Sequence, residues 1–316
     1  MNPNPRSRSY RDAATPDYVN VALPGRPRTA KPAIAGDLSD LGRVRTKGAL
    51  IDDDLPLDKE LDQYYTCETF AKTCYAIFCE HYDPRTFQMV EPSAGTGVFF
   101  ALLPLGSLGY DVDPKYPGIE TADFLTVEIG GALLVAVIGN PPFGKSASLA
   151  VRFFNHAARR AIVIAFIMPR SVRKAAIENR LDRSFHLLRE EEVPDHAFLF
   201  RGKTFNVPAV FQIWEHRIEP RQLKPVETTH PDFEFTTPDL ADFAIQRVGA
   251  RAGRVHHNLK ASTSSHYFIR GPVEAAMRRL DFASVTGNVA GNPSLSKSEI
   301  VMLYREWIGR SAREAA

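Results

Sequence analysis

VIGNPPFGK, residues Val137 to Lys145, runs from an apolar stretch straight into a pair of prolines. Val135, Val137 and Ile138 predict a buried strand; Pro141 and Pro142 fix φ and remove ladder donors, so the strand has to stop at Asn140. In open α/β sheets the carboxyl ends of strands are where ligands are met. The Asn140 side-chain carbonyl and the Pro141 main-chain carbonyl are acceptors with no proton to give. Two convergent acceptors suit one task, holding the two hydrogens of an exocyclic NH2, and Phe143 offers a flat face for stacking a base.

Outward from this segment, short apolar runs alternate with helical stretches. Strands are expected at 87–91, 108–112, 133–138, 161–168, 185–189 and 207–214, and helices at about 96–103, 146–159 and 171–181. Such alternation predicts an α/β chain with a Rossmann-like, doubly wound, mostly parallel sheet. Upstream, Phe70, Cys74, Ile77 and Phe78 recur at helical spacing, with Thr66 in the N-cap position. Downstream, 218–240 reads as a Pro- and Thr-rich linker. A strand pair is expected around FAIQRVG and SHYFIR, and terminal helices at 272–281 and 296–310.

VEPSAGTGVF, residues 90–99, follows one strand and opens a turn in which Gly95 and Gly97 can take positive φ and let the main chain approach a ligand. Asp111 ends the next strand, where an acid can accept bonds from both hydroxyls of a ribose. The lack of a third glycine argues against a dinucleotide. In TADFL, residues 121–125, Asp123 stands beside the aromatic Phe124, a pair suited to an adenine amine and ring face.

In order and spacing, EPSAGTG, GYDVDP, ADF and NPPF resemble the cofactor and catalytic motifs of class I methyltransferases that use S-adenosyl-L-methionine to methylate adenine N6. QYYT resembles the segment just before their glycine loop. The resemblance spans about residues 62–215. It implies that Thr66 touches the methionine moiety, that Glu91 and Gly95 flank it, that Asp111 holds the ribose, and that Asp123 with Phe124 holds the adenine ring. Gly97 and Asn140 complete the implied cofactor contacts, and Asn140, Pro141, Pro142 and Phe143 form the implied catalytic segment. Cys67 stands where such proteins usually carry proline. GKTFNVPAVFQIW, residues 202–214, resembles the late segment whose aromatic residue faces the Phe of NPPF across a flipped base. Phe205 is the first choice and Phe200 the alternative. The implied reaction is direct in-line transfer of a methyl group to the amine, with nucleic acid as substrate and DNA favoured over RNA. Rival readings are a protein glutamine amide methyltransferase and a non-catalytic subunit of a modification complex.

The charge distribution carries more than the net value of +2. Residues 1–50 hold 9 basic and 4 acidic side chains, 51–240 hold 19 and 27, and 241–316 hold 11 and 6. Basic ends around an acidic middle suit a catalytic core with arms that neutralise phosphates. Three divisions are expected: a disordered basic tail over 1–57, a methyltransferase domain over 58–217, and a linker with a small C-terminal extension over 218–316. Lys145, Arg170, Arg173 and Lys174 fall just past strand ends, where phosphate contact or plain solvation is open to them. His256, His257 and His266 read as surface or phosphate-contacting histidines. Cys67, Cys74 and Cys79 have neither disulfide nor metal-ligand spacing, so reduced thiols on one helix and no metal are expected. With no membrane span or apolar signal core, the expected home is cytoplasmic.

Overall fold

The computed structural model describes residues 64–131, 133–200, 202–289 and 291–314. The expected tail, 1–57, lies outside the described residues.

A seven-stranded sheet is built from β2 (Gln88–Glu91), β3 (Leu108–Asp111), β4 (Glu120–Thr121), β5 (Val135–Gly139), β6 (Val163–Pro169), β7 (Phe185–Glu192) and β10 (Ala209–His216). Its order is β4-β3-β2-β5-β6-β10-β7. The pairs from β4 through β6 are parallel, whereas β10 runs antiparallel to both β6 and β7. This is a Rossmann-like, doubly wound sheet, mostly parallel, with one reversed strand. Chain order reverses between β2 and β5, the switch point at which such sheets open a crevice.

β5 and β6 are buried at every position, as strands covered on both faces must be, and this explains their unbroken apolar runs. The pleat divides them between two cores. Val135, Val137, Ile164, Phe166 and Met168 face one, together with Phe153 and Phe154 of α2 (Ser148–Ala157). Ala136, Ile138, Val163, Ala165 and Ile167 face the other, with Phe70, Cys74 and Phe78 of α1 (Glu68–His81). The result is three layers, helix on sheet on helix.

Local departures from the sequence reading have simple causes. α1 is capped by Cys67 in extended backbone, with no side-chain cap bond, because Thr66 is drawn into β1 (Tyr65–Thr66). β1 pairs with β8 (Phe198–Phe200), which pairs with β9 (Lys203–Phe205), a small separate sheet that local periodicity could not announce. The helix expected at 96–103 is only a 3-10 turn, Phe100–Leu102; two positive-φ glycines precede it and Pro104 follows. The stretch 171–181 divides into a 3-10 turn, Arg170–Arg173, and α3 (Ala175–Glu178). The stretch 146–159 is helical only over α2, after a 3-10 turn, Lys145–Ala147.

Beyond residue 217 a four-stranded sheet has the order β11 (Glu234–Thr236), β14 (His266–Arg270), β12 (Phe243–Gln246), β13 (Val255–His256). The expected pairing of the FAIQ and HYFIR segments is present as β12 against β14. β11 lies inside the stretch read as linker, too short to show a strand period. The expected terminal helix 272–281 shortens to α4 (Glu274–Met277). α5 (Ala283–Thr286) and α6 (Lys297–Glu314) follow. Phe233, Phe243, Ile245, Ile269, Met277 and Ile300 lead the apolar core of this unit.

α6 opens with a capping box: Ser296 Oγ accepts from the Glu299 N–H, and Glu299 Oε2 accepts from the Ser296 N–H at 2.7 Å. The same carboxylate takes Lys174 Nζ at 3.0 Å. Lys174 follows the C-terminal end of β6, so this largely buried pair ties the C-terminal unit to that end of the large sheet. No helix among the described residues is long and apolar enough to cross a membrane.

Candidate functional site

A cleft of about 450 Å³ opens at the switch point. Its lining draws on the ends of three adjacent strands: Glu91 of β2, Asp111 of β3 and Asn140 just past β5. Thr66, Gly95, Asp123, Phe124 and Pro142 line it as well. Gly97, Pro141, Phe143 and Phe205 are not among its lining residues.

The glycine turn lets neighbouring rings come close. Gly95 has φ +46°, and a Cβ there would stand 2.8 Å from Tyr65 Cε1. Gly97 has φ +78°, and its missing Cβ makes room for the Tyr116 ring, 2.3 Å from where that carbon would be. Asp111 fixes the turn from across the sheet: Oδ2 accepts the Gly95 N–H at 2.7 Å and Oδ1 the Asp113 N–H at 2.8 Å. Each oxygen keeps a further lone pair free of these two bonds.

Glu91 is the most unusual group in the cleft. It is 2% exposed, and its Oε2 has no hydrogen-bond partner. Burial pushes its carboxyl well above the ordinary value, with nearby Asp111 pushing the same way and a backbone hydrogen bond at Phe100 opposing. Thr66 Oγ1 is buried and unpartnered too. Two buried polar atoms without hydrogen-bond partners thus belong to residues that line one cleft.

Asn140 is held on two sides. Its Nδ2 donates to the Tyr64 main-chain carbonyl at 3.0 Å, and its own main-chain carbonyl accepts from Ser93 Oγ at 2.9 Å. A carbonyl only accepts, so only the amide nitrogen can face Tyr64, and Oδ1 is left as an acceptor. Phe143 is half-buried and packs against both cores. Immediately after it the backbone turns left-handed at Gly144, Ser146 and Ala147, with φ 64°, 52° and 60°.

Asp123 caps a 3-10 turn by accepting the Leu125 N–H at 3.0 Å, and this leaves its second oxygen unused by the turn. Phe124 is 1% exposed and stacks on Phe153 at a centroid distance of 5.6 Å. Phe205 is 38% exposed and meets Tyr64 edge-on at 5.6 Å and Phe200 at 5.7 Å. The two aromatic residues weighed for one role therefore stand together, against the residue that orients Asn140.

Three of the cations considered as phosphate contacts are engaged elsewhere. Arg170 pairs with Glu192, Arg173 with Glu190 and Glu192, and Lys174 with Glu299. Lys145 is exposed and has no ion pair among the described residues. Tyr64, Tyr65, Ser93, Arg152 and Phe153 were not singled out from the sequence, yet all belong to the site. Tyr65 is marked only by its place beside Thr66, and Arg152 and Phe153 by their spacing on α2. Cys67, Cys74 and Cys79 are free thiols, and no cluster of metal-ligating side chains occurs among the described residues.

No family model matches the chain, and no curated protein does. Among solved structures it is similar to a protein of Thermoplasma acidophilum, at 18% identity over 52% of this chain and 97% of that one, with a TM-score of 0.37. It is also similar to a candidate RNA methyltransferase from Pyrococcus horikoshii, at 17% identity over 54% and 93%, TM-score 0.38. A third is the 23S rRNA methyltransferase ErmE, at 14% identity over 78% and 99%, TM-score 0.35. Superpositions this loose leave the function to be read from the cleft itself.

Proposed function

We propose that the chain is an S-adenosyl-L-methionine-dependent methyltransferase acting on the exocyclic N6 amine of adenine in nucleic acid. The observation that carries this reading is Asn140, fixed by Tyr64 with its side-chain acceptor left unused, beside a cleft that holds Asp111 and the unpartnered Glu91.

The cleft fits the cofactor on the chemistry of its donors and acceptors. Asp111 suits ribose hydroxyls, and Asp123, beside the buried Phe124 that lines the cleft, suits an adenine amine and ring. Thr66 Oγ1 and Glu91 Oε2, which lack partners, are suited to the ammonium-bearing end. When bound, the cofactor supplies a methyl group activated by a sulfonium.

The protein's part is positioning. An adenine amine is a weak nucleophile because its lone pair is delocalised into the ring. Accepting its two hydrogens at Asn140 Oδ1 and the Pro141 carbonyl favours a nitrogen whose pair is localised. Orientation of this kind can supply several of the roughly 7–11 kcal/mol available from holding reactants in line. Phe143 and the exposed Phe205 are the rings on which an unstacked base would rest.

A tritiated-cofactor assay on DNA, RNA and protein, followed by mass spectrometry of digested nucleosides, tests the reading. N6-methyladenine is the expected product. Label on a glutamine side chain, or on nothing, would overturn it.

A further inference from the structure

The proposed chemistry leaves unexplained a cluster of cations at the far edge of the C-terminal sheet. β13 is an edge strand, and on it the His256 ring meets His266 of β14 at a centroid distance of 5.0 Å. The charged groups acting on His256 are His266, Arg254, His257 and Arg278, all of them cationic or able to become so. One carboxylate, Glu274, takes Arg278 at 2.7 Å and His257 at 3.0 Å. Arg251, Arg254 and Lys260 are exposed and have no ion-pair partner among the described residues. A groove of about 530 Å³ beside β13 is lined by Arg254 and Arg278, with Asp281 the acidic group on its wall.

A second pair of cations stacks on aromatic rings of the same unit. Arg247 lies over the Tyr267 ring at 5.1 Å, and Lys297 lies over Phe235 at 4.8 Å. Arg247 Nε is buried without a partner. The Arg247 carbonyl accepts the Leu295 N–H at 2.8 Å, next to Ser294 and near the Glu299 that holds Lys174. Arg247 thus stands beside the Ser294–Leu295 segment that Lys174, just past β6, also meets. Cations spread along an edge, rather than converging on one point, suit a ligand whose negative charges repeat.

We infer that β13 and the Arg251–His266 segment, with Arg251, Arg254 and Lys260 as principal contacts, grip the phosphate backbone of the nucleic acid whose base enters the cleft. The inference rests on the proposed nucleic-acid substrate, but it concerns binding alone. Phosphate contacts position a strand without reading its sequence, so this surface sets register and affinity while the cleft selects the base.

The test uses the full chain carrying Arg251→Gln, Arg254→Gln and Lys260→Gln together. Lys72→Gln/Arg85→Gln, which alters two exposed cations of the large-sheet unit already paired with Glu68 and Asp83, serves as control. Fluorescence anisotropy with labelled duplex DNA and single-stranded RNA is followed across a salt series. The triple variant should bind about tenfold or more weakly. Its log–log salt slope should fall by about 2–3, since each phosphate contact contributes roughly 0.7–0.9. Circular dichroism and calorimetric affinity for S-adenosyl-L-methionine should match wild type. An unchanged slope in a folded triple variant, an equal loss in the control, or no nucleic-acid binding by the wild type would overturn the inference. Wild-type binding that depends on these residues, in a protein that transfers no methyl group, would sink the proposed activity and leave the surface standing.

Discussion

The amide nitrogen of Asn140 donates a 3.0 Å hydrogen bond to the main-chain carbonyl of Tyr64, 76 residues earlier in the chain. The bond determines which end of the Asn140 side chain remains available, because a carbonyl partner can be met only by NH2. It also makes the strand-end acceptor depend on a segment in another layer of the fold.

Asn140→Ala is expected to keep cofactor affinity near wild type and to lower kcat by about 100-fold or more, the scale found when one positioned hydrogen-bonding group is removed from a reacting centre. Calorimetry and single-turnover transfer measure the two separately. Wild-type-like turnover would refute the role of this acceptor.

Asp111→Ala should act in the opposite sense. It removes the acceptor for two backbone N–H groups, at Gly95 and Asp113, along with the ribose contact. Charged hydrogen bonds are each worth about 1.5–3 kcal/mol, so cofactor affinity should weaken by tenfold at least. An unchanged dissociation constant would show that the ligand does not rest on β3.

Much of this was legible in the sequence because the information is local. β5 and β6 are fully buried runs, and no pattern but a central strand accounts for them. The order Glu91, Gly95, Asp111, Asn140 follows from one turn per strand end. What escaped depends on distant partners. Thr66 looked like a helix cap, but Phe198 pairs with it and makes it a strand. Arg173 and Lys174 looked available for phosphate because Glu190, Glu192 and Glu299 come from other elements. Tyr64 and Tyr65 take their places from β8 and the glycine turn, which no spacing within their own segment records.

Glu91 should make the stability of the ligand-free protein pH-dependent in an unusual sense. Its carboxyl is raised in the folded state, so the native protein holds a proton that the unfolded chain releases above the ordinary value of 4.5. Stability from this group is fully present below that value and is lost as pH rises toward the raised folded value, at up to about 1.4 kcal/mol per pH unit. Glu91→Gln lacks the titration. The melting temperature of the variant should therefore gain on wild type between pH 5 and 8. Parallel pH profiles would show Glu91 to be ionised in the fold.

Glu299→Ala should loosen the C-terminal unit first. It strands Lys174 and removes the capping box of α6, and breaking a buried ion pair from one side costs about 3 kcal/mol or more. Lys174→Met/Glu299→Leu should cost much less, because no charge is left unpaired. The two tryptophans report separately: Trp214 belongs to the large sheet's core and Trp307 packs on the C-terminal core. In a Trp214→Phe background, urea should shift Trp307 emission at lower concentration in Glu299→Ala than in its parent. Coincident transitions would mean that the pair does not anchor this unit.

The left-handed run after the NPPF segment gives an engineer somewhere to work. Ser146 and Ala147 occupy a conformation that costs a side-chain-bearing residue roughly 1–2 kcal/mol, and neither is glycine. Substituting glycine at these two positions should relieve that strain at the expense of a looser unfolded chain, for a net gain below about 1 kcal/mol each. Should the thermostable variants turn over more slowly, the gain in heat resistance would have come from tension that keeps Phe143 and the prolines pressed into their working shape. Thermal tolerance and catalytic rate would then be opposing demands on the one stretch from Pro141 to Ala147.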